Sequence, residues 1–297
     1  GPQTLKEMRE EAEAKRIAEE KQKRVEEREN ISFGDFFKDE YLPGTEATRK
    51  EETVRRQKEH VKIWIGPVTR DIPLKDLRLF HLEKIRSNMD KAGRAPRTMQ
   101  YVMATFRAVW NHARNKGYVH EQSPTKALTL PKVNNQRRRY LTQNEAYKLL
   151  AVLLKRSEQT HDIAFLSLMM GLRFSEVAGL TWGCVDMNRE VIDIFNGKGD
   201  KDRTLPMNAE VKSFFEAKRF GPLNELIFLS RVGKRIGKIS KTYDNAVNEL
   251  GLNDNLSDGK QKVVFHTLRH THASWLVEAG VDLYVVQRLL GHSTPIL

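Results

Sequence analysis

The 297-residue chain has one cysteine, Cys184, which sits between Gly183 and Val185 in an apolar stretch. No disulfide framework can form within it, which fits a reducing, cytoplasmic setting. Long hydrophobic runs are also missing. The longest, Ile163 to Leu172, is about half of what a bilayer span needs. No charged-then-apolar leader precedes it, so the expectation is a soluble protein without a membrane partner. The chain does not begin with methionine. Gly1-Pro2 resembles the scar left when a tag is removed, which predicts that the natural N-terminus lies elsewhere.

Carboxylates are scarce in one region only. The chain has 51 Lys+Arg against 39 Asp+Glu, a formal net charge of +12. Residues 1–30 hold 8 basic against 9 acidic residues, residues 31–140 hold 23 against 12, and residues 141–297 hold 20 against 18. The excess therefore lies in the middle third, which suits a polyanionic partner.

Residues 4–30 lack glycine and proline and are dense in Glu, Lys, Arg and Ala. Their apolar stripe is broken, which predicts a charged helix or linker with no core of its own. From Ile31 onward, helical periodicity recurs in Thr48–Ile65, Lys75–Ala92 and Pro96–Lys116, with Pro43-Gly44, Gly66-Pro67, Gly93 and Gly117 as breakers between segments. These define a helical domain over 31–127. Its surface carries Arg94, Arg97, Arg107 and Arg114, and an earlier helix carries Arg55, Arg56, Lys58 and Lys62. The stretch 128–140 has a proline and no periodicity, and it ends in Arg137, Arg138 and Arg139. It reads as a basic interdomain linker whose arginines contact phosphate.

A second domain, 141–297, opens with Thr142 and Glu145 at capping-box spacing. Val191–Phe195 and Arg203–Met207 read as strands around a Gly-rich turn and, with Trp182–Asp186, as a three-stranded antiparallel sheet. The fold class expected is mainly α with one small antiparallel sheet.

Four segments of this domain carry chemistry. In Gly171-Leu172-Arg173-Phe174-Ser175-Glu176 an arginine follows an apolar helix, so it needs either Glu176 or a ligand anion. Gly197-Lys198-Gly199-Asp200-Lys201-Asp202-Arg203 is a hairpin tip presenting lysines. His266-Thr267-Leu268-Arg269-His270 opens an amphipathic helix with His266 and Arg269 at i, i+3 spacing. Leu289-Leu290-Gly291-His292 ends a helix at glycine. His266 and His270 at i, i+4 invite a zinc reading, but no glutamate follows His266 and Arg269 lies between them, so no metal is expected. His270 and His272 read as structural.

In this order the four segments resemble the catalytic domain of tyrosine recombinases of the phage integrase kind. The likeness spans roughly 141–297, and the helical domain before it resembles that family's core-type DNA-binding domain. The small helical domain and the Leu-Gly-His segment distinguish it from a type IB topoisomerase. The resemblance implies a site-specific recombinase that joins or excises mobile-element DNA through a 3′-phosphotyrosyl link. Its partners would be double-stranded attachment sites bound by a homotetramer, with DNA-bending accessory proteins, in the bacterial nucleoid. Arg173 and Arg269 would clamp the non-bridging oxygens of the phosphate. Lys198 would be the general acid, with Lys201 the alternative; His266 would be base or phosphate partner, and His292 a further donor. Glu176 would orient Arg173 or His292. Neither metal nor nucleotide cofactor is implied.

One departure stands out. The family's tyrosine follows the Leu-Gly-His histidine, whereas this chain reaches Leu297 five residues after His292 without one. Tyr284 precedes that histidine and reads as helix surface or core. The nucleophile is expected just after Leu297, and the chain as written should bind DNA without cleaving it. Either the sequence is a fragment ended before the tyrosine, or it is a recombinase-derived regulator that only binds DNA.

Overall fold

A computed structural model of the chain describes residues 30–131, 139–195 and 202–291, together with Glu13, Lys15–Ile17, Glu20, Gln22, Lys23 and Arg28. The chain divides into two compact units, Gly1–Asn134 and Asn135–Leu297. The architecture is mainly helical with one three-stranded sheet.

In the first unit, α1 (Glu51–His60), α2 (Leu79–Lys91) and α3 (Pro96–Asn115) surround an aromatic core. Met99, Val102, Met103, Phe106, Val109, Trp110 and Ala113 form the buried face of α3, recurring at the three-to-four-residue spacing of one helical stripe. Phe33 stacks on Phe106 with ring centroids 5.4 Å apart. The entering chain is tied down by Phe33 N–H donating to the Ile72 carbonyl at 3.0 Å and Leu74 N–H to the Ile31 carbonyl at 3.0 Å.

Two of the expected breakers do not break helices. Pro43-Gly44 lies inside the helical run Leu42–Thr48, and Gly66-Pro67 opens Gly66–Thr69. Each follows a π-helical turn, Phe36–Tyr41 and Val61–Ile65. The residue before each proline closes an i→i+5 bond, Leu42 N–H to the Phe37 carbonyl and Gly66 N–H to the Val61 carbonyl. The wider turn relieves the clash a proline ring makes with the carbonyl four residues earlier, so the chain stays helical. Gly93 and Gly117, at φ +63° and +76°, do end helices.

In the leading segment, Arg28 is not merely solvated. Its guanidinium lies 4.5 Å from the centre of the Tyr118 ring and donates to the Lys116 carbonyl.

The second unit is built on α4 (Gln143–Arg156) and α5 (Glu158–Met170). Thr142 caps α4 as a capping box: its hydroxyl accepts from Glu145 N–H at 3.2 Å, and the Glu145 carboxylate accepts from Thr142 N–H at 2.8 Å. α5 is buried on nearly every side, as a helix without a polar face must be, and packs against α4 and α9 (Phe265–Glu278). After the four-residue α6 (Phe174–Val177), β1 (Val185–Asp186), β2 (Val191–Ile194) and β3 (Arg203–Pro206) form an antiparallel sheet in that order. Its register places Ile192 opposite Val185 on one side and Leu205 on the other, all turned to the core.

The first strand is shorter than expected. Trp182–Cys184 is a 3-10 turn, because Trp182 N–H is taken by the Glu225 carbonyl and Gly183 N–H by the Leu223 carbonyl, at 3.1 and 2.7 Å. α7 (Ala209–Glu216), α8 (Lys241–Glu249), α9 and α10 (Leu283–Leu290) complete the unit. Among the described residues no helix is long and apolar enough to cross a membrane.

Candidate active site

Separate stretches of the second unit converge on one carboxylate, that of Glu176. The convergence begins where α5 stops. Gly171 has φ +63°, and a Cβ there would fall 2.7 Å from His272 Cδ2 and 2.8 Å from Leu290 Cδ2. Only glycine makes this turn without moving α9 and α10. The turn sends Leu172 into the core and sets Arg173 at the start of α6.

Glu176 accepts from Arg173 twice, from the backbone N–H at 2.8 Å and from Nη1 at 2.7 Å. Arg203, at the start of β3, grips the same carboxylate with Nη1 at 3.1 Å and Nη2 at 2.8 Å, while its Nε donates to the Leu289 carbonyl at 2.9 Å. Arg269 on α9 is 2% exposed. Its Nη1 donates to the Gly171 carbonyl at 2.6 Å and lies 3.8 Å from Glu176 Oε2, and its Nη2 donates to the Leu290 carbonyl. Those carbonyls lie at the C-terminal ends of α5 and α10, where the helix dipoles are negative. Arg173 Nη2 also reaches the Gly291 carbonyl at 3.5 Å.

Three guanidinium groups thus share one carboxylate. Burial alone would raise the Glu176 pKa. Hydrogen bonds and charge from Arg203 and Arg173 outweigh it and hold the carboxyl below its ordinary range, so Glu176 is ionised at neutral pH. Three guanidinium groups gathered in a largely buried place present several N–H donors, and an anion with several oxygens suits them.

His272 lies beside this cluster and plays a different part. Burial pushes its imidazole down to about 4, and the nearby Arg269 adds to the shift. The ring is therefore neutral near pH 7 and its Nδ1 donates to the Leu168 carbonyl at 3.0 Å. His266 is exposed at the start of α9, and its ring centre is 4.7 Å from that of His270. The i, i+3 pair His266 and Arg269 therefore spans rim and floor. Tyr284 is 65% exposed on α10, with the Arg288 guanidinium 6.0 Å from its ring centre.

Lys198, Lys201 and His292 lie outside the described residues, as do Arg137 and Arg138. Among the described residues no three metal-ligating side chains are placed to hold an ion.

Sequence reasoning passed over Arg203, treating it only as the end of the hairpin. A signal was present: Arg203 is in phase with the buried Leu205 on a two-residue strand period, so it faces inward, and a buried arginine demands a partner.

The arginines expected at DNA divide by their contacts. Arg107 Nε is held by Thr125 Oγ1 at 2.9 Å. Arg139 is paired with Glu145 at 2.5 Å. Arg94 and Arg97 lie over the rings of Trp64 and Tyr101, at 5.3 and 4.8 Å, and Arg114 is exposed. Arg55 and Arg56 are paired with Glu52 at 2.9 Å, and Lys58 with Glu46 at 2.7 Å.

An arginine pair and a third inward arginine thus gather around a single glutamate where α5, α6, β3, α9 and α10 meet. Residues 139–295 match the Phage integrase family, and the chain belongs to that family, the tyrosine recombinases. The tyrosine recombinase XerC of Pseudomonas syringae pv. syringae (strain B728a) is 29% identical over 227 residues, 73% of each chain. Among solved structures, a lambda integrase dimer bound to a COC′ core site superposes with a TM-score of 0.72 at 17% identity, covering 92% of this chain and 77% of that one. The Tn1549 transposon integrase in complex with circular intermediate DNA gives 0.68 at 19% identity, covering 89% and 92%. At these identities the structures speak to the fold alone.

Proposed function

We propose that this chain binds double-stranded DNA attachment sites and activates one phosphodiester for strand exchange through a 3′-phosphotyrosyl link, as an integrase that inserts or excises a mobile element. The observation that carries the reading is the convergence of Arg173, Arg203 and Arg269 on Glu176. In the pentacovalent transition state the non-bridging oxygens gain negative charge. Arg173 and Arg269 are the donors set to receive it. Glu176 and Arg203 act through them as positioning residues, fixing where the guanidinium groups point.

The exposed His266 is the proton acceptor or phosphate partner at the rim, and Lys198 protonates the leaving 5′-oxygen, with Lys201 as its alternative. His292 adds a phosphate donor. The 31–127 domain and the 128–140 linker supply contacts to flanking DNA, and the working assembly is a homotetramer on two DNA partners in the bacterial nucleoid. DNA-bending accessory proteins would assist it. No nucleotide triphosphate enters, because the phosphotyrosyl link conserves the energy of the broken bond.

All seven tyrosines of the chain precede His292. The 297-residue chain is therefore expected to bind duplex DNA and leave it intact. Incubation with nicked duplex followed by denaturing electrophoresis should show no covalent protein–DNA species; such a species would overturn the assignment of the nucleophile. Arg173→Lys loses the paired N–H geometry and should weaken duplex binding several-fold with the fold intact. Unchanged binding would sink the clamp. The other reading is a regulator that only binds DNA. It predicts no strand joining even by a form extended to bear a tyrosine, whereas the enzyme reading predicts joining that Lys198→Ala abolishes.

A further inference from the structure

Between Ser230 and Lys241 the chain reads Ser-Arg-Val-Gly-Lys-Arg-Ile-Gly-Lys-Ile-Ser-Lys, and the nearest carboxylates in sequence are Glu225 and Asp244. Arg231, Lys234, Arg235, Lys238 and Lys241 are all exposed. The segment is nonetheless ordered by its backbone. Leu229 and Arg235 form an antiparallel bridge, Ser230 N–H donates to the Lys234 carbonyl at 2.7 Å, and Lys234 N–H donates to Ser230 Oγ at 3.1 Å. Ile236 and Ile239, set between the cations, pack against the core.

The hairpin is fastened to the helix that bears the arginine site. Arg235 donates to the carbonyl of Ser175, the residue before Glu176. Its guanidinium also lies against Gly179, where a Cβ would come within 2.8 Å of Nη2.

Several other cations of this unit are paired: Arg156 with Glu249, Lys212 with Glu190, and Lys218 with Glu158 and Asp162, all within 2.7 Å. Among the described residues no carboxylate pairs with any of the five on 230–241. Holding five like charges together on an ordered loop destabilises the free protein unless a polyanion compensates.

We propose that the 230–241 hairpin tracks the DNA phosphate backbone next to the phosphate held by Arg173 and Arg269, an inference that rests on the reading of the site as one that acts on DNA. The contacts are to phosphates. Contacts of this kind contribute affinity and salt sensitivity and carry no direct sequence information.

The test compares the 297-residue chain with its Arg231→Gln/Lys234→Gln/Lys238→Gln variant on a generic duplex across a salt titration. These three side chains are exposed and carry no fold-holding contact, so the melting temperature should be unchanged. If three phosphate contacts are lost, the slope of log affinity against log salt falls by about 2.7, and affinity near physiological salt drops on the order of 100-fold. Should the triple variant melt early, Arg231→Gln/Lys238→Gln gives the same readout with a fall of about 1.8.

Lys155→Gln/Lys212→Gln/Arg219→Gln removes the same charge elsewhere and should leave the slope nearly as it was. An unchanged slope in the hairpin variant, or an equal fall in the control, overturns the hairpin contact while duplex binding itself stands. An unaltered chain that does not bind duplex at all overturns the DNA reading, and the hairpin contact with it.

Discussion

Glu176 carries more of the site than any other single residue, because three arginines depend on its charge. Glu176→Gln should destabilise the second unit by roughly 3–5 kcal/mol, the cost of leaving buried cations uncompensated. Millimolar sulfate or phosphate should restore part of the loss, and chemical denaturation with and without the anion measures both. A loss under about 1 kcal/mol would mean that solvent already screens the cluster.

His272 predicts a pH dependence of defined sign. In the unfolded chain it takes up a proton near the ordinary histidine value, whereas in the folded chain it does so only at about 4. Between those values the unfolded state binds the extra proton, so stability falls as pH drops from about 6.5 to 4, by at most about 3 kcal/mol. Glu176 works in the same direction at lower pH: its depressed value adds stability above the ordinary carboxylate range that is lost as pH falls through the folded value. Denaturation curves at pH 7.5 and 5 should separate by an amount that His272→Asn reduces.

Elements differ in how plainly the sequence announces them. The buried face of α3 could be read directly from its spacing, and Thr142 with Glu145 marked the start of α4. Thr142→Ala should cost about 1 kcal/mol in the stability of the second unit. A neutral result would mean that packing alone holds the first turn.

The helices through Pro43 and Pro67 were hidden, because proline signals a break when the helix is assumed to keep one hydrogen-bond register. The switch to i→i+5 bonds just upstream is a backbone adjustment with no residue signature of its own. The lost residues of the first strand had a similar cause: Trp182 and Gly183 were drawn off by carbonyls some forty residues away. The site motifs around Arg173 and Arg269 were legible because each pairs an arginine with a helix end. Arg203 was not, since its partners, Glu176 and Leu289, are distant in sequence.

For the whole molecule, the excess of charge over residues 31–140 is a poorer guide than its pairing. Arg55, Arg56 and Lys58 are already matched to carboxylates, while Arg97 and Arg114 have no carboxylate partner among the described residues. Arg97→Gln/Arg114→Gln is therefore expected to lower the salt slope of duplex binding by about 2, and Arg55→Gln/Arg56→Gln to change it little. Equal effects from the two pairs would return the explanation to net charge.

The carbonyls of Leu289 and Leu290 have a kinetic corollary. A helix of eight residues with Leu283, Tyr284 and Val285 exposed would ordinarily open readily. Here its last turn is pinned by Arg203 and Arg269, and lifting it would strand both guanidinium groups. Hydrogen–deuterium exchange should accordingly find the α10 amides as slow as those of α5, released in the same cooperative event, with Glu176→Gln freeing the helix to open by itself.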